Sequence, residues 1–141
     1  MNKYVELKSR QQKEINDFPL FFAYSNKQFD EGMRKLGLEP NETDKIYKLG
    51  NTGGFYRKSD SQKLKDMFDR HDKEMFEAMK DDEFVLQMFE YELGNHEFYI
   101  TYNYDDALRA CGLKFDELDE RMLGLLKTAR DNYIKGCDYW C

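Results

Sequence analysis

A glycine-rich segment followed by two cations is the part of the sequence that most resembles an anion-binding site. Gly53 and Gly54 end the run at residues 50–54, and Arg57 and Lys58 follow shortly after. Glycines expose backbone N–H groups that can hold phosphate together with cationic side chains. The segment lacks the Gly-Lys-Ser/Thr pattern of a phosphate-binding loop, and a glycine-rich hairpin tip would account for it equally well. A small-ligand or nucleotide-binding (sequestering) protein is therefore one hypothesis.

A histidine on an apolar helix face is a second place where chemistry could occur. His71 has Asp72 and Glu74 beside it, which leaves open a small hydrolase-type enzyme around His71. No serine or cysteine has the recognisable setting of a nucleophile, and the His and Cys residues lack metal-ligand spacing. A single histidine on such a face is more often structural. We therefore predict no catalytic residue, no metal site and no cofactor, and we favour a protein that is not an enzyme.

Two arginines occupy equivalent positions in a repeated sequence. Residues 29–38 and 104–113 both read aromatic, acid, acid, small, apolar, Arg, any residue, apolar, Gly, Leu. If a pseudo-two-fold axis related the copies, Arg34 and Arg109 could line one groove and fork onto a carboxylate or phosphate. The alternative, which we favour, is that each pairs with the aspartate four residues earlier in its own helix.

The largest charge asymmetry lies in residues 81–120. This segment contains twelve Asp and Glu residues against Arg109 and Lys114, a balance of −10 in a chain whose total is −6. Phosphate contacts need Lys and Arg, so the segment does not suit direct binding of nucleic acid. It favours a basic partner, although solvated acids and acids at helix N-termini are the plain alternative.

Our leading hypothesis is a non-enzymatic acidic binding protein that captures a protein with a basic surface, such as a nucleic-acid-binding protein. The acids would imitate a phosphate backbone. We expect no direct contact with nucleic acid and no membrane partner, and the sequence leaves the oligomeric state open. The residues expected to contact the partner are acids and tyrosines of the segment: Asp81, Asp82, Glu83, Glu90, Tyr91, Glu92, Glu97, Tyr99 and Tyr104.

The spacing of apolar residues predicts the elements that position these side chains. Helices are predicted over residues 3–16 and 26–36, from about residue 60 to residue 80, after Asn103, and from Asp116 to Gly136. Strands are predicted at residues 20–24, in a hairpin of residues 45–49 and 55–58, and in a second hairpin of residues 84–93 and 97–102. The first arm of the second hairpin could also be helical, because its apolar residues do not alternate cleanly.

Together these elements predict a single α+β domain over residues 1–141. An antiparallel sheet of two hairpins plus an added strand would be covered by helices, with a strand–turn–short-helix unit occurring twice. No apolar run approaches the roughly 18 residues that span a bilayer, and the first residues lack the apolar core of a signal peptide. We therefore expect a cytoplasmic protein.

Two motifs resemble those of a known group of proteins. Residues 21–32 read Phe-Phe-Ala-Tyr-Ser-Asn-Lys-Gln-Phe-Asp-Glu-Gly, and residues 53–60 read Gly-Gly-Phe-Tyr-Arg-Lys-Ser-Asp. Both are similar to uncharacterised small proteins of Gram-positive bacteria and their phages. The resemblance covers the first half of the chain and implies an accessory protein of a mobile element, a group in which inhibitors of host or defence proteins are common. It carries over no catalytic residues.

Overall fold

The computed structural model describes residues 2–98 and 102–138 of the chain. Within them the helices and strands follow in the order α1 (Lys3–Asp17), β1 (Leu20–Phe22), α2 (Asn26–Lys35), β2 (Ile46–Leu49), β3 (Gly54–Arg57), α3 (Ser61–Ala78), α4 (Asp82–Asn95), α5 (Asp105–Ala110) and α6 (Glu120–Asp138). Helices around a small antiparallel sheet confirm the predicted α+β class. No helix among the described residues is both long and apolar enough to cross a membrane.

The chain divides into two compact units, which are described separately. We call residues 11–73 the sheet unit, and residues 1–10 with residues 74–141 the acidic unit. Formal charge follows this division. The acidic unit carries −7, from 17 acids and 10 cations, and the sheet unit carries +1, from 11 acids and 12 cations. The single domain over residues 1–141 stays a prediction.

The sheet unit contains a three-stranded antiparallel sheet in the order β1-β3-β2. The hairpin predicted at residues 45–58 forms as β2 and β3, and β1 is the added strand, with Phe21 opposite Phe55. These two rings stack on one face with centroids 5.3 Å apart, and Met33 and Leu36 near the end of α2 belong to the same core. Because side chains alternate between the two faces along each strand, Phe21 and Phe55 lie on the same face of the sheet, and α2 covers that face.

The second predicted hairpin is wrong, because its first arm is helical. α4 begins after Asp81, whose carboxylate accepts a hydrogen bond from the Glu83 backbone N–H at 3.3 Å, and it continues through Gly94 and Asn95, the predicted turn. The buried residues of α4 recur at helical spacing, but Leu86 and Tyr91 outside this stripe and the buried Glu92 within it obscure the period in the sequence. The buried apolar residues of α4 are Phe84, Val85, Met88, Phe89 and Leu93. The alternative, that residues 84–93 are helical, is confirmed.

The second arm of that hairpin, residues 97–102, falls partly outside the described residues. Residues 99–101 belong to the part of the chain that is not described. On either side of them, Glu97 and Tyr102 have φ angles of 53° and 52°, a left-handed conformation that is uncommon for residues other than glycine. The described part of this segment is therefore not extended strand.

The core of the acidic unit is organised around α4. This helix packs mainly against α6 and α5. The buried residues of the core include Tyr4, Leu7, Phe84, Val85, Met88, Phe89, Leu93, Leu108, Met122, Leu126 and Ala129. Because Leu108 is 1% exposed, it anchors α5 in this core and fixes the loop that leads from α5 to α6.

The two matching sequence segments end their helices in the same way. Gly37 and Gly112 have φ angles of +76° and +73°, the left-handed conformation that favours glycine after a helix. Leu38 and Leu113 each donate a backbone N–H to the carbonyl five residues earlier, at 2.9 and 2.8 Å. The helices differ in length, since α2 has ten residues and α5 has six. The shared helix end is observed, and the complete repeated unit stays a prediction.

Candidate functional site

Three of the acids predicted to contact a partner form ion pairs inside the acidic unit. Lys3 Nζ lies 3.0 Å from Asp81 Oδ2 and 3.1 Å from Glu83 Oε2. Arg121 Nε lies 2.7 Å from Asp82 Oδ1. The hydrogen bond from Lys3 lowers the pKa of the Asp81 carboxyl. Because both cations come from outside the acidic segment, its sequence charge of −10 overstates the field that a partner would meet at the start of α4.

The predicted contact residues in the second half of α4 have different surroundings. Glu90 accepts a hydrogen bond from Asn132 Nδ2 at 2.8 Å. Glu92 is 5% exposed, and its Oε2 lies 3.5 Å from His96 Nε2, so the carboxylate has almost no surface to offer a partner. Tyr91 is 44% exposed. Of this group, Tyr91 and Glu90 are the residues that remain accessible to a partner.

The last three predicted contact residues follow α4 in the chain. Glu97 is exposed, and Tyr99 lies outside the described residues. Tyr104 is half-buried directly before α5. It is the predicted contact residue whose ring contacts Phe115, which lines a pocket.

A pocket of about 500 Å³ opens beside α5. Its apolar lining comes from Leu108, Leu113 and Phe115. The left-handed turn at Gly112 directs the chain away from the end of α5, and Phe115 begins a single 3₁₀ turn, Phe115–Glu117, where its side chain is 49% exposed. The sequence thus builds a concave apolar surface from one helix end and the turn that follows it.

Acidic side chains surround this apolar surface. Asp105, Asp116 and Glu117 line the pocket, and none of the three forms an ion pair within the described residues. We call the surface formed by these acids with Leu108, Leu113 and Phe115 the acid-rimmed pocket. The sequence predicts that the last helix starts at Asp116, but α6 starts at Glu120, and its N-terminal cap is Asp119, whose carboxylate accepts a hydrogen bond from the Met122 backbone N–H at 2.8 Å. The Asp116 carboxylate is therefore not occupied as that cap.

Two cations, Arg109 and Lys114, also line the pocket, so its three acids and two cations sum to −1. Arg109 Nη1 lies 3.5 Å from Asp106 Oδ1, so its charge is partly matched on α5 itself. Lys114 is exposed. Residues 102–120 contain six acids and these two cations. The surface around the pocket is therefore net negative.

A column of aromatic rings supports one side of the acid-rimmed pocket. Tyr104 stacks on Phe98 with centroids 4.7 Å apart and on Phe115 with centroids 5.8 Å apart. Phe98 is 2% exposed, so the column starts in the core and ends at the half-exposed Phe115. Arg130 Nη1 donates a hydrogen bond to the Tyr104 hydroxyl at 3.3 Å. These contacts fix the position of Phe115 while half of its ring remains accessible.

The glycine tip of the sheet unit is explained by local packing. Gly53 has a φ angle of +82°, and a Cβ atom there would lie 2.6 Å from the Tyr24 ring. The backbone N–H of Gly54 donates to Thr52 Oγ1 at 3.1 Å. The turn and the neighbouring ring therefore require these glycines without a ligand, and the ligand-binding hypothesis stays a prediction.

The two cations that follow the tip differ in their surroundings. Arg57 donates from Nε to Asp60 Oδ2 at 2.8 Å and from Nη1 to the Leu36 carbonyl at 3.2 Å. Lys58 is exposed, with its Nζ 5.0 Å from the centre of the Tyr47 ring. Arg57 is therefore engaged in holding the hairpin to its neighbours, while Lys58 remains available.

The two arginines of the repeated sequence are exposed and belong to different units. On α2, Arg34 forms no ion pair with Asp30 in the described part of the chain. On α5, Arg109 pairs with Asp106 and not with Asp105. The predicted pairing with the aspartate four residues earlier is therefore found for neither arginine in the described residues, and Arg109 pairs with the acid three residues earlier instead.

His71 is buried on α3 within the sheet unit. It is 6% exposed, and its Nε2 lies 3.5 Å from Glu14 Oε1 without a hydrogen-bond partner in the described residues. Arg70 also pairs with Glu14, and its hydrogen bond lowers the pKa of Glu14 to about 2. The burial of His71 leaves little of the imidazole for a substrate. The enzyme hypothesis therefore stays a prediction without structural support.

One protein-family model matches nearly the whole chain. A model described as a family of unknown function, DUF7659, matches residues 3–132. The chain belongs to this family. The match includes the glycine tip and the acid-rimmed pocket, and the description of the family names no activity. No curated protein and no solved structure matches the chain.

The sequence does not reveal the pocket, because its parts are not recognisable one by one. Phe115, Asp116 and Glu117 are adjacent in the chain and resemble the start of a helix. An aromatic residue beside two acids, just after a Gly-Leu helix stop, is the signal that could have indicated an exposed turn. The pocket itself depends on Leu108, which the sequence shows only as a core residue of α5.

Proposed function

We propose that the chain is a non-enzymatic binding protein that holds a basic segment of a protein partner in the acid-rimmed pocket. The observation that carries this proposal is an apolar lining next to Asp105, Asp116 and Glu117, for which the described residues provide no ion pair. Arginine and lysine side chains fit such a surface, because each combines an apolar stem with a cationic head.

The half-exposed ring of Phe115 gives the pocket a defined contact for a cation. A guanidinium or ammonium group over an aromatic face gains roughly 0.5–1 kcal/mol at an exposed site and more when it is desolvated. Asp116 follows Phe115 directly in the chain, and a carboxylate can accept two parallel hydrogen bonds from one arginine. An arginine that contacts both residues would combine the two interactions.

The charge of the acidic unit supports the same partner class. Its formal charge of −7 would attract a basic surface and accelerate association, with a rate that falls as salt is added. A neutral or acidic partner would be disfavoured. The charge thus selects the class of partner, and the pocket provides the point of contact.

An inhibitory role is part of this proposal. The resemblance to small proteins of Gram-positive bacteria and their phages points to a host or defence protein as the partner. If that partner binds nucleic acid, its basic surface would be occupied by carboxylates in place of phosphates. The chain would then compete with the nucleic acid of its partner.

A charge-matched pair of variants tests the proposal. The pocket variant carries Asp105→Asn, Asp116→Asn and Glu117→Gln. The control variant carries Asp66→Asn, Asp69→Asn and Asp72→Asn, three exposed acids of α3. Both variants change the net charge by the same amount. A fluorescein-labelled peptide containing arginine and lysine is titrated with each protein, and the affinity is measured by fluorescence anisotropy.

We expect the pocket variant to lose about tenfold in affinity, because exposed ion pairs contribute up to about 1 kcal/mol each. The control variant should keep the wild-type affinity within about twofold. Equal affinities of the two variants would show that the peptide responds to net charge and would contradict a specific role of the pocket.

A further inference from the structure

The sheet in residues 20–57 has a second face, opposite the one covered by α2. Residues paired across antiparallel strands lie on the same face, and Phe22 pairs with Gly54 while Tyr47 pairs with Tyr56. Alternation places these residues opposite Phe21 and Phe55, which point into the core. We call the surface formed by Phe22, Tyr24, Tyr47 and Tyr56 the aromatic sheet face.

The aromatic sheet face is open to solvent. Phe22 is 47% exposed, Tyr47 is 46% exposed and Tyr24 is 77% exposed. The Tyr47 and Tyr56 rings have centroids 5.9 Å apart. Exposed aromatic residues grouped on one sheet face are unusual for a surface without a partner, because such a patch costs hydrophobic free energy in water.

Two of these rings are held by the glycines of the hairpin. The Phe22 ring lies so close to Gly54 that a Cβ atom there would be 3.0 Å from it, and the Tyr24 ring lies against Gly53. The Tyr24 hydroxyl also donates to the Thr52 carbonyl at 2.9 Å. The rings are therefore positioned by the backbone beneath them and present their other surfaces to solvent.

The same segment of the chain is basic. Residues 45–65 contain six Lys and Arg residues and one acid, Asp60, which is paired with Arg57. Lys58 Nζ lies 5.0 Å from the centre of the Tyr47 ring, at the aromatic sheet face itself. Lys48 pairs across the sheet with Phe55 and therefore lies on the opposite face. Lys58, Lys63 and Lys65 are exposed and form no ion pair within the described residues, so their charge remains available to an anionic partner.

We propose that the aromatic sheet face binds single-stranded nucleic acid. Unpaired bases stack on exposed aromatic side chains, and their phosphates contact nearby lysines. Base stacking accounts for the rings and phosphate contact accounts for the lysines, whereas an acidic peptide would use the lysines alone. A duplex keeps its bases stacked inside and would not use the rings. The sequence predicts no nucleic-acid contact because residues 81–120 are acidic, but these residues lie outside the sheet unit.

The binding experiment uses the full chain and fluorescein-labelled oligo-dT and oligo-U of about ten nucleotides, a length in the range of single-strand sites. Affinities are measured by fluorescence anisotropy between about 50 and 200 mM salt. We expect binding at low salt that weakens as salt is added, and weaker binding of a duplex of the same length. No binding of either single strand at low salt would overturn the proposal.

Two pairs of variants locate the site. Tyr47→Ala should weaken binding about fivefold or more and leave the salt dependence unchanged, since stacking does not involve counterions. Lys58→Ala should reduce the slope of log K against log salt by about 0.7, the value for one phosphate contact on a single strand. Phe76→Ala and Lys80→Ala are the matched controls, because Lys80 Nζ lies 5.3 Å from the exposed Phe76 ring on α3.

The controls should bind like the wild type, and binding lost equally in all four variants would overturn the proposal. Sedimentation velocity without nucleic acid tests the other occupant, a second copy of the chain. If the wild type is a dimer that Tyr47→Ala converts to a monomer, the aromatic sheet face is a self-association surface and the proposal is overturned. Loss of oligonucleotide binding in Tyr47→Ala would not affect the peptide-binding test of the acid-rimmed pocket, so the two proposals fail independently.

Discussion

Tyr104 stacks on Phe115 with ring centroids 5.8 Å apart and ring planes 17° apart. The contact joins a residue directly before α5 to one in the turn that follows it, and it extends inward to the buried Phe98. A half-exposed aromatic ring that stacks on a buried neighbour is better preorganised for a ligand than a free one, because less rotamer freedom is lost when the ligand binds. This relationship makes Phe115 the residue on which the binding proposal most depends.

Replacing Phe115 by alanine should weaken peptide binding while the protein remains folded. Phe115→Ala should weaken binding of the basic peptide about fivefold, because it removes the aromatic contact for the cation. The free energy of unfolding of the variant should be about 1 kcal/mol lower than that of the wild type, because the substitution removes a half-exposed ring and its stacking contact with Tyr104. Phe76→Ala, which removes a ring that is 67% exposed elsewhere in the acidic unit, is the control and should leave peptide affinity unchanged. Unchanged affinity in Phe115→Ala would argue against this ring as a contact.

Two helical glycines should respond to alanine in opposite directions. In α2, a Cβ atom on Gly32 would lie 2.1 Å from the Phe21 ring, so Gly32→Ala should lower the free energy of unfolding by about 1–3 kcal/mol. In α6, Gly124 has no atom within 4 Å of the added Cβ, so Gly124→Ala should raise it by about 0.5–1 kcal/mol. Urea unfolding measures both. Stabilisation by both variants would mean that Phe21 is not packed against α2 as described.

The ion pair of Glu14 with Arg70 should make stability depend on acid pH. The pKa of Glu14 is lowered from an ordinary 4.5 to about 2, chiefly by the hydrogen bond from Arg70. Because the folded pKa lies below the unfolded one, ionised Glu14 stabilises the fold above pH 4.5, and this contribution is lost as the pH falls towards 2. We expect Glu14→Gln and Arg70→Gln each to make the urea midpoint fall less steeply over this range. A decline as steep as in the wild type would contradict this role.

The thiol of Cys111 should be unreactive in the native protein. Burial raises its pKa to about 12, so the nucleophilic thiolate is scarce at pH 8. In a chain with Cys137→Ser and Cys141→Ser, Ellman's reagent should modify Cys111 slowly in buffer and rapidly in denaturing urea. Equal rates in the two solutions would show that Cys111 is not packed against the core of the acidic unit.

The sheet was predictable because local rules determine it. The hairpin of β2 and β3 follows from alternating residues on both sides of a glycine-rich turn, and the Gly-Leu helix stops follow from the need for a left-handed residue at Gly37 and Gly112. For residues 84–93 the sequence favours a strand and leaves a helix open, because Leu86 and Tyr91 add apolar residues outside the buried stripe of α4 and Glu92 adds an acid within it.

The sequence predicts that the candidate site is acidic but not which of the acids form it. The sequence indicates an excess of acids in residues 81–120. It does not indicate that Lys3, nearly 80 residues away, forms ion pairs with Asp81 and Glu83, because that pairing depends on the packing of α1 beside α4. In the structure the acids at the start of α4 are therefore paired, whereas Asp116, in the turn after α5, forms no ion pair within the described residues.

Binding in the acid-rimmed pocket is tested most directly by titrating isotope-labelled protein with the arginine-containing peptide and following the amide NMR shifts. We expect saturable shifts at residues 105–117 and small shifts at residues 81–83, whose carboxylates are already paired. Shifts that are largest at residues 81–83, or that spread over all acids without saturating, would contradict binding in the acid-rimmed pocket.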